Sequence, residues 1–153
     1  MTQMCFQDCF PDHVAICYGC GRNNPEGFKI RSYWEGDVGV CRFTPKETHC
    51  AFPGVVYGGL IASLIDCHSI CTAMANAYRE ANRELGTEPV LYFVTGELNV
   101  KYIKPTPMNT QLILKAHVTE QQPKKSYVQC SVFADNIETA RGTVLGIRVQ
   151  SYT

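Results

Sequence analysis

Residues 57–84, YGGLIASLIDCHSICTAMANAYREANRE, decide the fold of this chain of 153 residues. The segment is rich in Ala, Leu, Ile and Met, contains neither Gly nor Pro after Gly59, and is followed by Gly86, so it predicts one long helix. Its large apolar side chains recur at helical spacing, and small residues keep the other faces thin. The recurring positions are Leu60, Ile61, Leu64, Ile65, Cys71, Met74, Ala75 and Tyr78. We therefore expect this helix to be buried on most of its faces.

Six runs around the helix have the alternation, or the β-branched and aromatic content, that is typical of strands. They are Phe28–Trp34, Val38–Phe43, Val90–Lys104, Thr110–Glu120, Ser126–Asp135 and Glu138–Gln150. In the last run Gly142 and Gly146 share one face, and glycine inside a strand marks the close approach of another backbone. We expect the helix to lie against that face. The sequence thus predicts the α+β class, with an N-terminal arm over 1–25 and a single domain over 26–153.

Composition and charge exclude several classes of function. The chain carries 14 Lys plus Arg against 14 Asp plus Glu, so it lacks the positive charge with which proteins usually bind nucleic acid. Its N-terminal segment 1–11 has neither the basic start nor the apolar run of a secretory signal, and we expect a cytoplasmic protein with no membrane partner. Since 45% of the residues are hydrophobic and the net charge is zero, we also expect self-association.

The nine cysteines are expected to be reduced thiols, because their number is odd and no export signal is present. Cys17 and Cys20 form one Cys-x-x-Cys pair, with Cys5, Cys9 and His13 near it in sequence. A structural zinc site normally shows two such pairs along the chain. The sequence therefore predicts no metal, and nothing in it indicates a cofactor.

Asp66 is the only Asp, Glu, Lys or Arg from Thr48 to Tyr78. An unpaired carboxylate is costly to bury, so a lone acid in an apolar helix needs a partner or a chemical purpose. The structural alternative is that Asp66 accepts hydrogen bonds from Ser69, His68 or a neighbouring chain and only fixes packing. For His68 itself we expect an imidazole that is bonded to a backbone carbonyl.

Gly58 and Gly59 stand in the first turn of the helix, where backbone N–H groups are unpaired and the helix dipole favours negative charge. A developing oxyanion could bind those N–H groups, while Asp66 lies about two turns further along. A tight junction between loop and helix would also explain a glycine pair, and it is the commoner explanation.

Residues 54–66, GVVYGGLIASLID, resemble the His-Gly-Gly…Ser-Leu-x-Asp segment of the hotdog-fold acyl-CoA thioesterases, in the branch of the phenylacetate-pathway enzymes. Residues 95–105, TGELNVKYIKP, are a weaker match, and the likeness runs from Cys17 to Val149. It implies a hotdog fold, in which a curled antiparallel sheet of about six strands wraps one long central helix. It also implies an enzyme that hydrolyses an acyl-CoA thioester to free acid and coenzyme A, with a site shared between two subunits of a homodimer or a dimer of dimers.

The resemblance also implies roles for individual residues. Asp66 would be the general base or the nucleophile, the Gly58 N–H would polarise the thioester carbonyl, and Thr95 matches a threonine found beside the acid in some members. Tyr57 stands where the family has His, so we assign it to substrate binding together with Gly59.

Two further residues are assigned to substrate binding. These are His49, which lies upstream of the glycine pair, and Lys104, since Lys and Arg are the usual partners of phosphate groups.

Two other functions compete with hydrolysis. Tyr57 in place of the family His is compatible with a protein that binds acyl-CoA without hydrolysing it. His49 followed by Phe52–Pro53–Gly54 resembles, faintly, the His-Phe-Pro-Gly of hotdog dehydratases. In those enzymes the His adjoins the Phe and the acid is Glu, whereas here two residues intervene and the acid is Asp.

Overall fold

The predicted long helix forms, as α1 over Gly58–Glu80, in a computed structural model that describes residues 3–151. Six antiparallel strands form one sheet beside it, in the spatial order β1-β2-β4-β5-β6-β3. The strands are β1 Ser32–Glu35, β2 Val38–Phe43, β3 Tyr92–Tyr102, β4 Leu112–Gln121, β5 Lys125–Ala134 and β6 Ile137–Val149. The predicted architecture of one helix on a six-stranded antiparallel sheet is therefore confirmed.

Two predicted boundaries are wrong, and in each case the backbone gives the reason. The first strand begins at Ser32 and not at Phe28, because Lys29 adopts a φ of 59° that breaks an extended run. The helix ends at Glu80 and not near Glu84, because Asn82 adopts a φ of 52°, the left-handed conformation in which many helices end.

The glycines of β6 let α1 approach the sheet, as the shared face predicts. A Cβ atom at Gly142 would lie 2.5 Å from Cγ2 of Ile65, and one at Gly146 would lie 3.3 Å from Cδ1 of Ile70. By length and hydropathy α1 also has the character of a membrane span, but 61% of its most apolar window is buried within the fold. Packing against the sheet therefore accounts for its apolar character.

Residues 3–25 of the N-terminal arm pack onto the domain and supply part of its core, and the first two residues of the arm lie outside the described residues. Phe6 is fully buried, and its ring meets that of Trp34 edge-on with 5.0 Å between centroids. Cys5, Ala15 and Cys20 are buried as well. The arm is therefore part of the folded unit.

A buried network of hydrogen bonds links the arm, the sheet and the helix. The Gln7 side chain donates to the hydroxyl of Ser32 at 2.9 Å, and that hydroxyl lies 2.8 Å from Nδ1 of His68. Nε2 of His68 lies 2.9 Å from the carbonyl of Gly39, which confirms the expected bond to a backbone carbonyl. Burial lowers the pKa of His68 to about 4, so the ring is neutral at pH 7. Nε2 then donates to Gly39, and Nδ1 accepts from Ser32.

Replacing Gly142 with Ala should destabilise the protein by about 1–3 kcal/mol, because the added methyl overpacks the contact with Ile65. The matched control is Thr143→Val on the same strand, where the side chain is exposed and the cost should stay within about 0.5 kcal/mol. Urea unfolding of both variants measures the difference. Equal stabilities would contradict the close approach of helix and strand.

Replacing Ser32 with Ala should cost about 1–3 kcal/mol of unfolding free energy, because it leaves buried groups of Gln7 and His68 without their partner. Thr119→Ala is the control, since it removes an exposed hydroxyl that donates to the carbonyl of Tyr127. Chemical denaturation should separate the two variants. A Ser32→Ala protein as stable as the control would mean that the buried hydrogen-bond network contributes little to the free energy of unfolding.

Candidate active site

Asp66 on α1 is paired with Thr95 on β3. The Thr95 hydroxyl donates to Oδ1 of Asp66 at 2.6 Å, and Oδ2 accepts no hydrogen bond from residues 3–151. Burial raises the pKa of the Asp66 carboxyl, and the bond from Thr95 opposes that shift. The strand carries a β-bulge between Thr95 and Glu97, a feature that often adjoins active sites. The result is a half-buried carboxylate with one fixed oxygen and one available oxygen.

A cavity of about 480 Å³ opens beside this pair. Its polar lining side chains are Gln7, His13, Asp66 and Thr95, and the other residues that the arm, α1 and β3 contribute are mainly apolar or sulfur-bearing. Its principal apolar lining residues are Phe10, Val14, Ile16, Ile70, Phe93 and Val94. The sequence predicts the carboxylate, but the cavity forms only because the arm folds back over the helix.

The start of α1 presents the two predicted glycines beside two tyrosines. The Tyr102 hydroxyl donates to the carbonyl of Gly58 at 2.7 Å, a contact that sequence reasoning missed. The Tyr57 ring lies over Gly59, where a Cβ atom would come within 2.4 Å of the ring. Within the described residues, the N–H groups of Gly58 and Gly59 donate to no acceptor, so they can bind an oxyanion.

The structure does not bring Gly58 and Asp66 together within one chain. They are eight positions apart on the helix, which corresponds to about 12 Å along the axis. Tyr57 and Gly59 lie with Gly58, whereas Thr95 lies with Asp66. The predicted residues therefore form two half-sites on one helix, defined here as the helix-start half-site and the Asp66 half-site.

His49 supports the helix-start half-site. Its ring stacks on Phe43 and meets Phe28 edge-on, and its Nδ1 accepts the N–H of Lys46 at 3.0 Å. Its carbonyl accepts the N–H of Tyr57 at 2.9 Å. Desolvation by burial lowers the pKa of His49. The ring thus packs among aromatic side chains, while the backbone carbonyl holds the residue that precedes α1, and the assignment of His49 to substrate binding stays a prediction.

Lys104 is exposed, and it follows β3 near the same half-site. Its N–H donates to the carbonyl of Thr139 at 3.1 Å. Two residues further on, the carbonyl of Thr106 accepts the N–H of Val56 at 2.9 Å, which ties this loop to the approach of α1.

Cysteines from distant parts of the sequence meet at the wall of the cavity. The sulfur atoms of Cys17, Cys20 and Cys67 lie within 4.8 Å of one another, and Cys71 lies one helical turn beyond Cys67 on α1. Hydrogen bonds from the surrounding thiols hold the pKa of Cys20 below its usual range, while the pKa values of Cys67 and Cys71 are raised. Sequence reasoning missed this cluster, although the spacing of four residues between Cys67 and Cys71 was the available signal.

Comparison with known proteins gives the family. The model of the thioesterase superfamily matches residues 53–141. A solved thioesterase superfamily protein from Shewanella loihica is 37% identical, with a TM-score of 0.68 over 92% of this chain and 99% of that one. A Streptococcus mutans protein that was solved bound to acetyl-CoA is 15% identical with a TM-score of 0.64, over 78% of this chain and 88% of that one, and supports the fold alone.

The match to a curated relative covers less than half of that protein's length. The rat acyl-coenzyme A thioesterase THEM4 is 27% identical over 112 residues, which are 72% of this chain and 43% of the rat protein. The chain thus spans less than half of that relative. The family match over most of the helix and sheet, together with the Shewanella structure, nevertheless leads to one conclusion: this chain belongs to the thioesterase superfamily.

Proposed function

We propose that the protein hydrolyses an acyl-CoA thioester to a free acid and coenzyme A. The observation that carries the proposal is the Asp66 half-site, where Thr95 holds one carboxylate oxygen at 2.6 Å and the other faces no described partner. The superfamily, the acyl-CoA thioesterase activity in the name of the rat relative, and the coenzyme A bound to a Streptococcus pneumoniae neighbour support it. Membership of the phenylacetate-pathway branch stays a prediction.

As general base, Asp66 takes a proton from a water molecule, and the resulting hydroxide attacks the thioester carbonyl carbon. The tetrahedral oxyanion that forms is stabilised by the Gly58 N–H. Collapse of the intermediate breaks the C–S bond, and the departing thiolate takes the proton from Asp66. As nucleophile, Asp66 would attack the carbon itself, expel the thiolate and form an anhydride that water then hydrolyses. Thr95 orients the carboxylate in both routes.

The two half-sites require a second copy of the chain. β3 lies at an edge of the sheet, and Leu98, Tyr102 and Ile103 in and just after it are exposed. Phe52 and Tyr57 are exposed near the helix start. We infer a two-fold axis across this surface that brings the start of one α1 beside the middle of the other. We propose a homodimer, or a dimer of such dimers, in which Gly58 of one protomer completes the Asp66 half-site of its partner.

The apolar cavity walls suit an acyl group, and we assign the exposed Lys104, which follows β3, to the phosphates of coenzyme A. Tyr57, whose ring lies over Gly59, carries a neutral hydroxyl at the position where the family has an imidazole. This departure is the observation that favours the second candidate, a protein that binds acyl-CoA without hydrolysing it.

Replacing Asp66 with Asn should lower turnover by about 10²–10⁴-fold, because the amide keeps the size and loses the basic oxygen. Asp37→Asn, on a fully exposed carboxylate, is the control and should leave turnover unchanged. Released coenzyme A is best quantified by chromatography, since the exposed thiols of Cys17 and Cys50 would react with a thiol reagent. A folded Asp66→Asn protein with full activity would refute the mechanism. Wild-type protein that binds acyl-CoA esters without cleaving them would favour the second candidate.

Replacing Leu98 with Lys should convert the dimer to monomer and abolish turnover, because it places a charge on the exposed edge strand. Ile137→Lys is the matched control, since Ile137 is an exposed aliphatic residue at the β5–β6 turn. Sedimentation velocity at micromolar concentration measures both variants. A wild-type chain that sediments as a monomer while active would rule out the shared site.

A further inference from the structure

The cysteine cluster at the cavity wall is built from two segments that are distant in sequence. Cys17 and Cys20 lie in the loop of the arm, and Cys67 and Cys71 lie on α1. Residues four apart on a helix share one face, so both helix thiols can point to the same loop. Cys17 is exposed, Cys67 is half-buried, and Cys20 and Cys71 are buried. The remaining five cysteines are outside this cluster.

The spacing of the sulfur atoms matches a shared metal ion. The Sγ atoms of Cys17 and Cys67 are 3.8 Å apart, and those of Cys17, Cys20 and Cys67 all lie within 4.8 Å. A tetrahedral zinc ion with Zn–S bonds of about 2.3 Å places its sulfur ligands about 3.8 Å from one another. A disulfide would need the two sulfur atoms at about 2.05 Å.

Two glycines allow the Cys17–Cys20 loop to come close to α1. A Cβ atom at Gly19 would lie 2.4 Å from the sulfur of Cys67, so any side chain there would displace that ligand. The Gly21 N–H donates to the carbonyl of Cys17 at 2.8 Å, and a Cβ atom at Gly21 would lie 2.4 Å from the backbone nitrogen of Cys17. Glycine at both positions lets the loop close on itself and rest against α1.

We propose that Cys17, Cys20 and Cys67 bind one zinc ion as a structural site, with Cys71, one helical turn beyond Cys67 on the same face of α1, as the fourth ligand. Two ligands in a Cys-x-x-Cys loop and two on a helix form a four-thiolate set, which is the donor set of structural zinc. Four protein ligands fill a tetrahedral coordination sphere, so the ion has no open position for substrate. It ties the arm to α1 and so fixes the wall of the cavity next to Asp66. The sequence alone predicts no metal, because it contains a single Cys-x-x-Cys pair, whereas the fold adds two cysteines of α1 to that pair.

Metal content is the direct test. Full-length protein purified without chelator or a histidine tag should contain about one zinc per chain by elemental analysis. Cys17→Ser and Cys67→Ser should each weaken zinc binding by more than the about 10–100-fold that loss of an outer-shell partner causes. Cys50→Ser is the matched control, because Cys50 is an exposed free thiol outside the cluster, and it should retain the metal.

Loading the wild-type protein with cobalt tests the metal site even if a cysteine variant fails to fold. Wild-type protein loaded with Co²⁺ should show the absorption of tetrahedral, thiolate-bound cobalt, and zinc should displace it. Metal-free wild type with nine titratable thiols would overturn the site, as would a disulfide between Cys17 and Cys67 found by mass spectrometry. Equal metal content in Cys17→Ser, Cys67→Ser and Cys50→Ser would also overturn it.

The site is independent of the proposed hydrolysis. Asp66→Asn should keep its zinc while it loses turnover, so failure of one proposal is distinguishable from failure of the other.

Discussion

The contact between α1 and the sheet is the interaction on which the rest of the structure depends. Gly142 allows Ile65 to approach β6 closely, and that approach sets the depth of the helix. The next residue along the helix is Asp66, which therefore comes within hydrogen-bonding distance of Thr95 on the neighbouring strand β3. The candidate catalytic carboxylate is thus positioned by the same packing that forms the core.

The length of α1 separates the helix-start half-site from the Asp66 half-site. The free N–H groups of Gly58 and Gly59 lie at the start of the helix because amides there have no earlier carbonyl to bond. Asp66 lies two turns further along, where packing against the sheet desolvates it. A rigid helix cannot bend to bring the two together, so a single chain holds two half-sites. The proposed homodimer would bring the start of one α1 to Asp66 of the other and would cover the exposed edge of β3.

The arm contributes to the structure of the domain in three ways. Phe6 completes the core against Trp34, and Gln7 extends a buried chain of hydrogen bonds to Ser32 and His68. Its loop also carries Cys17 to α1, next to the cavity. The arm therefore links the stability of the fold to the shape of the candidate site.

The sequence by itself determined the elements and the carboxylate. Periodicity marks α1 and the strands because each buries one face against the others, and Asp66 stands out because no other charge lies near it in sequence. Only the tertiary structure decided which residues meet. Cys17 and Cys67 are fifty positions apart, and their contact depends on the path of the arm across the helix. The distance between Gly58 and Asp66 likewise follows from helix geometry and not from their shared motif, because a motif records residue types and order while a site depends on positions in space.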